Sequence, residues 1–248
     1  MTRLHVKPAQ GQRPVLASLP NRFAIDEAGS DVHIASGDAL AGIGKGAVMI
    51  ADPGLASAGA LRALADTGAT IGLALIAAPA LPDATIAVSR ALNEDVPLIV
   101  DAAAETSGPL RAALFELLML LDTLGCQANG LRVLADTPHE IVLAVKSADS
   151  WNGARVSARR SFRIRFALET VSRTLRREIA IDGTAISTPA EVRLLDAGGT
   201  RTALPRYEGG LRAAWKALHA RLTEGAGDDG QIGTAIRLLG LLDASGIA

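Results

Sequence analysis

From residue 46 onward the chain alternates continuous apolar runs with amphipathic stretches. The run 46–53 (GAVMIADP) closes on Asp52–Pro53 and predicts a buried strand. Residues 57–69 (SAGALRALADTGA) carry Leu61 and Leu64 on one helical face, with Gly68 near the end. A second apolar run follows at 71–79, a second amphipathic helix at 83–95, and a third run at 96–104. Strands apolar on both faces, separated by helices of about a dozen residues, imply a parallel sheet with helical cover. Right-handed crossovers make this half of a doubly wound sheet.

After residue 105 the pattern changes. Residues 107–125 (SGPLRAALFELLMLLDTLG) predict a strong helix, with Ser107 as its cap, Pro109 near its first turn and Gly125 at its end. Strand-like segments succeed one another at 131–135, 140–148, 154–168, 173–183 and 190–199, with IDG and DAGG as turn signals. Two helices, 208–225 and 233–245, end the pattern. The predicted class is α/β plus α+β. A Rossmann-like parallel-sheet domain spans 1–104, and an α+β domain with an open-faced antiparallel sheet and closing helices spans 105–248. The first 40 residues are less regular: short strands at 15–19 and 32–36, a turn at Pro20–Asn21 and another at 28–31.

Composition narrows the functional classes. Of 248 residues, 49% are hydrophobic, so a sizeable core is expected, and only 3% are aromatic, which argues against a stacking platform for single-stranded nucleic acid. The net charge of −1 and a pI near 6.4 give no electrostatic case for nucleic acid or an anionic membrane as main partner. In the basic stretch 155–165, Arg159, Arg163 and Arg165 alternate as one face of a sheet would. The single cysteine, Cys126, excludes an intramolecular disulfide and is expected as a packed thiol. The N-terminal residues lack the apolar centre of a secretory signal, and 113–125 is too short to span a bilayer, so a cytoplasmic setting is expected. His5, His33, His139 and His219 are scattered, and no metal site is predicted.

Two places carry candidate chemistry. Asp52 ends the second strand, where an acid in a dinucleotide-binding unit bonds ribose hydroxyls; an Asp–Pro turn is the structural alternative. Before it lie Gly37, Gly42, Gly44 and Gly46, in SGDALAGIGKG, whose backbone amides suit the approach of a pyrophosphate. Their spacing departs from G-x-G-x-x-G and leaves room for only a turn or two of helix. The second place is the stripe Arg212–Trp215–His219 on a predicted helix. It reads as a pocket lining or, more simply, as a face packed on the sheet.

The order of these segments resembles the glucose–fructose oxidoreductase / inositol dehydrogenase / MocA family. The similarity rests on GAVMIADPGLASAGALRALADTGA, on IGLALIAAPALPDATIAVSRALNEDVPLIVD, on SGPLRAALFELLMLLDTLG and on the two closing helices. It implies NAD or NADP as cofactor, held by Gly37, Gly42, Gly44, Asp52 and Pro79, and a sugar, polyol or related hydroxy compound as substrate. It also implies a second-domain sheet used for oligomer contacts, with itself or a homologue. The family's Glu-Lys-Pro, whose lysine is catalytic, matches Asp101, Ala102 and Ala103, so only the acid is kept. Its Asp and His on the next helix match Arg111 or Ala112, then Phe115 or Glu116. Asp101 and Glu116 are therefore the candidate groups at the reacting end. The alternative is a catalytically inactive relative, serving as an accessory subunit or a small-molecule binding protein.

Overall fold

A computed structural model of the chain describes residues 3–8, 12–27, 30–75, 99–123, 125–147, 153–162, 165–171, 176–182, 191–196, 198–202, 210–227 and 230–247. Strand β1 (Leu4–Val6) pairs in parallel with β2 (Phe23–Ile25), and helix α1 (Arg13–Ala17) lies between them. The strand expected at 15–19 is thus a helix. Pro14 occupies its first turn, where a missing N–H costs nothing, and Val15 and Leu16 are buried.

Strands β3 (Val32–Ala35), β4 (Ala47–Ile50) and β5 (Thr70–Leu73) form a parallel sheet in that order. All four residues of β4 are buried, as a strand covered on both faces requires. Helix α2 (Ala58–Asp66) joins β4 to β5. Ser57 caps it by accepting the Ala60 N–H at 3.1 Å, Leu61 and Leu64 are buried, and Gly68 turns the chain at φ 74°. The expected strand–helix–strand over 46–73 is present. Pro79 and the helix expected over 83–95 lie outside the described residues.

The third apolar run departs from expectation. It becomes β6 (Ile99–Thr106), which joins a second sheet. Helix α3 (Leu110–Thr123) follows, then β7 (Ala128–Asp136), β8 (Glu140–Ser147), β9 (Ala154–Arg160), β10 (Arg165–Val171), β11 (Arg176–Asp182), β12 (Glu191–Asp196) and β13 (Gly199–Thr202). The order is β13-β12-β11-β10-β6-β9-β8-β7. Every described pairing is antiparallel except β6 with β9, so this sheet is mixed and not purely antiparallel. The segment 154–168, read as one strand, is two, β9 and β10, which flank β6 on either side.

Alternation explains where β6 goes. Val100, Ala102 and Ala104 are buried, whereas Asp101, Ala103 and Glu105 are only half-buried. That period of two belongs to a sheet with one covered face, not to a strand buried on both. The cover is α3, packed against β6 and β9 with Leu114, Phe115, Leu117 and Leu118 fully buried. Just before α3, the Thr106 hydroxyl accepts the Gly108 N–H at 2.9 Å, while Ser107 is exposed.

Helices α4 (Gly210–Glu224) and α5 (Gln231–Ala244) end the described chain. Met1–Leu75 with Gly210–Gly240 form one compact unit, and Ile76–Gly209 with Leu241–Ala248 another. This replaces the expected division at 104/105: β6 falls in the second unit, and α4 returns to the first. Trp215 and Leu218 of α4 share a buried cluster with Val15, Leu16, Phe23, Val32 and Met49. Trp215 Nε1–H donates to Gln12 Oε1 at 2.7 Å, and its ring meets Phe23 edge-on at 5.1 Å. Gly72 lies against Met49 and Leu218, so helix and sheet touch closely there.

Candidate functional site

In open parallel sheets ligands bind beyond the carboxyl ends of the strands. Here those ends are Ala35, Ile50 and Leu73. After β3, Ser36 leads into a three-residue 3₁₀ turn, Gly37–Ala39, and no longer helix intervenes before β4. After β4, Asp52 leads into a second short turn, Pro53–Leu55.

Gly37 faces this second turn. A Cβ on Gly37 would overlap the Asp52 carbonyl oxygen outright and come within 2.8 Å of the Ala56 nitrogen. The amides of the turn are spent inside it: Leu55 N–H donates to Asp52 O at 3.0 Å and Ala56 N–H to Pro53 O at 3.1 Å. Gly42 and Gly44 are exposed with open space around them, and Gly42 adopts φ 80°, which favours glycine. The Asp52 carboxylate is exposed and makes no hydrogen bond or ion pair with the described residues. Asp38, beside Gly37, is exposed as well.

The structure thus brings Gly37 and Asp52 together and leaves Gly42 and Gly44 as surface turns. Among the described residues, the space beside Gly37 is taken by the Asp52–Ala56 backbone. The place where a dinucleotide's pyrophosphate would meet a glycine is filled by backbone, and the segment after β3 forms only a three-residue turn. Asp38 was not foreseen; an acid inside the glycine run was the available signal.

Asp101 lies within β6, opposite Glu169 of β10 and Arg155 of β9. Arg155 Nη2–H donates to its carboxylate, and Arg159 does the same to Glu105 four residues along. The Arg155 guanidinium is held above its usual range by the hydrogen bond to Asp101 and by that residue's charge; Glu105 acts likewise on Arg159. Glu116 is buried on α3. Since Asp101 faces away from α3, the sheet stands between the two acids, and they do not meet. Arg111 is also buried. It donates to the Asp243 carboxylate and to the Ile247 carbonyl, each at 2.5 Å, and so fastens the last described residues. Phe115 is core.

The Trp215–His219 stripe packs on residues 12–23, around α1 and the start of β2, and Arg212 Nε–H reaches Ser18 Oγ at 3.3 Å. A cleft of about 300 Å³ lies elsewhere in the first unit, lined by Ala65, Thr70, Ile71, Arg221, Ala226 and Ile232. Arg221 donates across it to Ile71 O at 2.7 Å. Thr70 begins β5, so this cleft is at the end of the sheet away from Asp52. Among the described residues no group of His, Cys, Asp and Glu could hold a metal ion, and no helix is long and apolar enough to cross a membrane.

The fold defines a class: a Rossmann-like parallel sheet accompanied by a mixed sheet with helices, as in sugar dehydrogenases and ketoreductases. The UDP-N-acetylglucosamine 3-dehydrogenase GnnA from Acidithiobacillus ferrooxidans is similar over 100% of this chain and 97% of its own, with TM-score 0.62 and 12% identity. KijD10, a 3-ketoreductase from Actinomadura kijaniata in complex with TDP-benzene and NADP, is similar over 79% of this chain and 68% of its own, with TM-score 0.61 and 13% identity. At such identities the likeness is one of fold. No protein-family model matches the chain, and no curated protein matches it in sequence.

Proposed function

We propose that this chain is a non-oxidising relative of the NAD(P)-linked sugar oxidoreductases, an accessory or self-associating subunit that keeps their fold. Asp101 carries the reading. Its carboxylate is committed to Arg155 on one face of the sheet, while Glu116 is buried in the helix covering the other. Hydride transfer needs a proton acceptor within hydrogen-bond reach of the substrate hydroxyl and beside a nicotinamide. Neither acid meets that need. The face bearing the Asp101–Arg155 and Glu105–Arg159 pairs is the surface offered to a second copy or a homologue, in a cytoplasmic setting. A small molecule held without turnover is the other form of this reading.

The test is to incubate the purified chain with NAD or NADP and a panel of sugars and polyols, following nicotinamide absorbance, and to measure its mass by light scattering. No turnover and a mass above the monomer are expected. A strict monomer without a co-purifying partner counts against the subunit role.

Asp52 favours a second reading. Its free carboxylate past the second parallel strand stands where this fold places a ribose-binding acid. On that reading the chain is an NAD- or NADP-dependent oxidoreductase of a sugar, polyol or related hydroxy compound. Turnover of the same panel, lost in Asp52→Ala, selects it.

A further inference from the structure

We infer that the corner where this fold seats a dinucleotide is, in this chain, a packed joint between two loops that does not take NAD or NADP. This goes beyond the loss of turnover, because a silent relative can still hold a cofactor.

Three observations converge. Gly37 is a glycine for an internal reason: the Asp52 carbonyl and the Ala56 nitrogen occupy the space its side chain would need. In a dinucleotide site the same freedom lets the pyrophosphate approach the backbone. One gap cannot serve both partners, and here the protein's own backbone has it. Second, phosphate sites of this kind draw on a helix N-terminus, whose free amides and aligned dipoles favour the anion. The segment after β3 offers a single three-residue turn, and in the facing turn the Leu55 and Ala56 amides already have carbonyl partners.

The third observation is charge. Asp38 and Asp52 are both exposed beside Gly37, and Lys45 is the only cation in residues 36–57. Asp38 adds a negative charge next to Gly37 in the chain, and the segment supplies one lysine against two acids for a pyrophosphate. Asp52 alone is therefore a remnant of a ribose contact, with the phosphate half of the seat closed.

The full chain is titrated with NADH and with NADPH to about 1 mM, by calorimetry and nicotinamide fluorescence, in the natural sequence and in Asp52→Asn. The expected result is no saturation with either cofactor. Saturable binding that Asp52→Asn leaves unchanged puts the cofactor at another place and agrees with a closed corner. Saturable binding that Asp52→Asn weakens overturns the inference.

Gly37→Ala supplies a second arm. It is expected to lower Tm by roughly 4 °C or more, or to fail to fold, because the new methyl strikes backbone. An unchanged Tm in Gly37→Ala means the joint is not packed, and overturns the inference as well. Binding at the corner without turnover would end this inference alone. Turnover with a sugar would end the non-oxidising reading too.

Discussion

Asp52 and Asp101 are both aspartates on apolar strands, yet the protein treats them differently. Asp52 stands just past the end of β4, exposed and unpaired with any described residue. Asp101 sits inside β6, half-buried, with Arg155 directly across and bonded to it. A strand end releases its side chain to solvent. A position within a one-sided sheet commits it to a cross-strand neighbour. The neighbours differ in kind as well. Gly37, beside Asp52, is held by backbone, whereas Ala102, next to Asp101, is fully buried on the face that α3 covers. The availability of an acid for chemistry thus follows from which sheet its strand joins, and where along it the acid falls.

The contrast is broken most directly at Ala102, the position the family resemblance matches to a catalytic lysine. Ala102→Lys puts an ammonium under α3 with no partner and is expected to cost about 3–5 kcal/mol in urea unfolding, with no gain of NAD(P)-linked activity. A loss below about 1 kcal/mol would mean that this face of β6 is open. Gly37→Ala comes next, at about 1–3 kcal/mol by the same measurement, from overpacking against a main chain that cannot move aside cheaply.

Asp101→Ala is expected to cost less than about 1 kcal/mol, since Arg155 is well exposed and water screens the pair. A double-mutant cycle with Arg155→Ala reads the coupling. The Arg155 pKa is raised in the folded state, so the pair's contribution is present below the ordinary guanidinium range and lost only as pH rises through it. The coupling should therefore stay constant between about pH 7 and pH 10. Smallest of all, Asp52→Ala should leave stability within about 0.5 kcal/mol, as befits an unpaired surface acid. A larger loss would show that Asp52 is structural after all.

Much of the fold was legible. The Leu61–Leu64 spacing and Gly68 located α2, and the long periodic stretches located α3, α4 and α5 to within a few residues. What failed had physical reasons. Five apolar residues at 15–19 carry no period long enough to tell a helix from a strand. In VPLIVDAAA the alternation is hidden in alanines, which look the same whether they face a helix or the solvent side. The turn after β9 comes at Ser161–Phe162 without glycine or proline to announce it. At the candidate site, spacing placed Gly37 and Asp52 in one expected site. It could not show that they touch each other, because that contact spans fifteen residues and depends on two loops closing together. The bond from Trp215 to Gln12 was equally beyond reach, since neither residue carries a local sign of the other.

The return of α4 to the first unit has a consequence for biosynthesis. The parallel strands and the N-terminal segment leave the ribosome early, but the helix bearing Trp215 and Leu218 arrives only after the whole large sheet has been made. Until then Val15, Phe23 and Met49 lack their cover, and the nascent chain is exposed to aggregation for that interval. Ribosome release before residue 224 would yield a product whose first unit lacks its helical cover and whose buried Arg111 lacks Asp243 and Ile247, a natural substrate for chaperones and proteases.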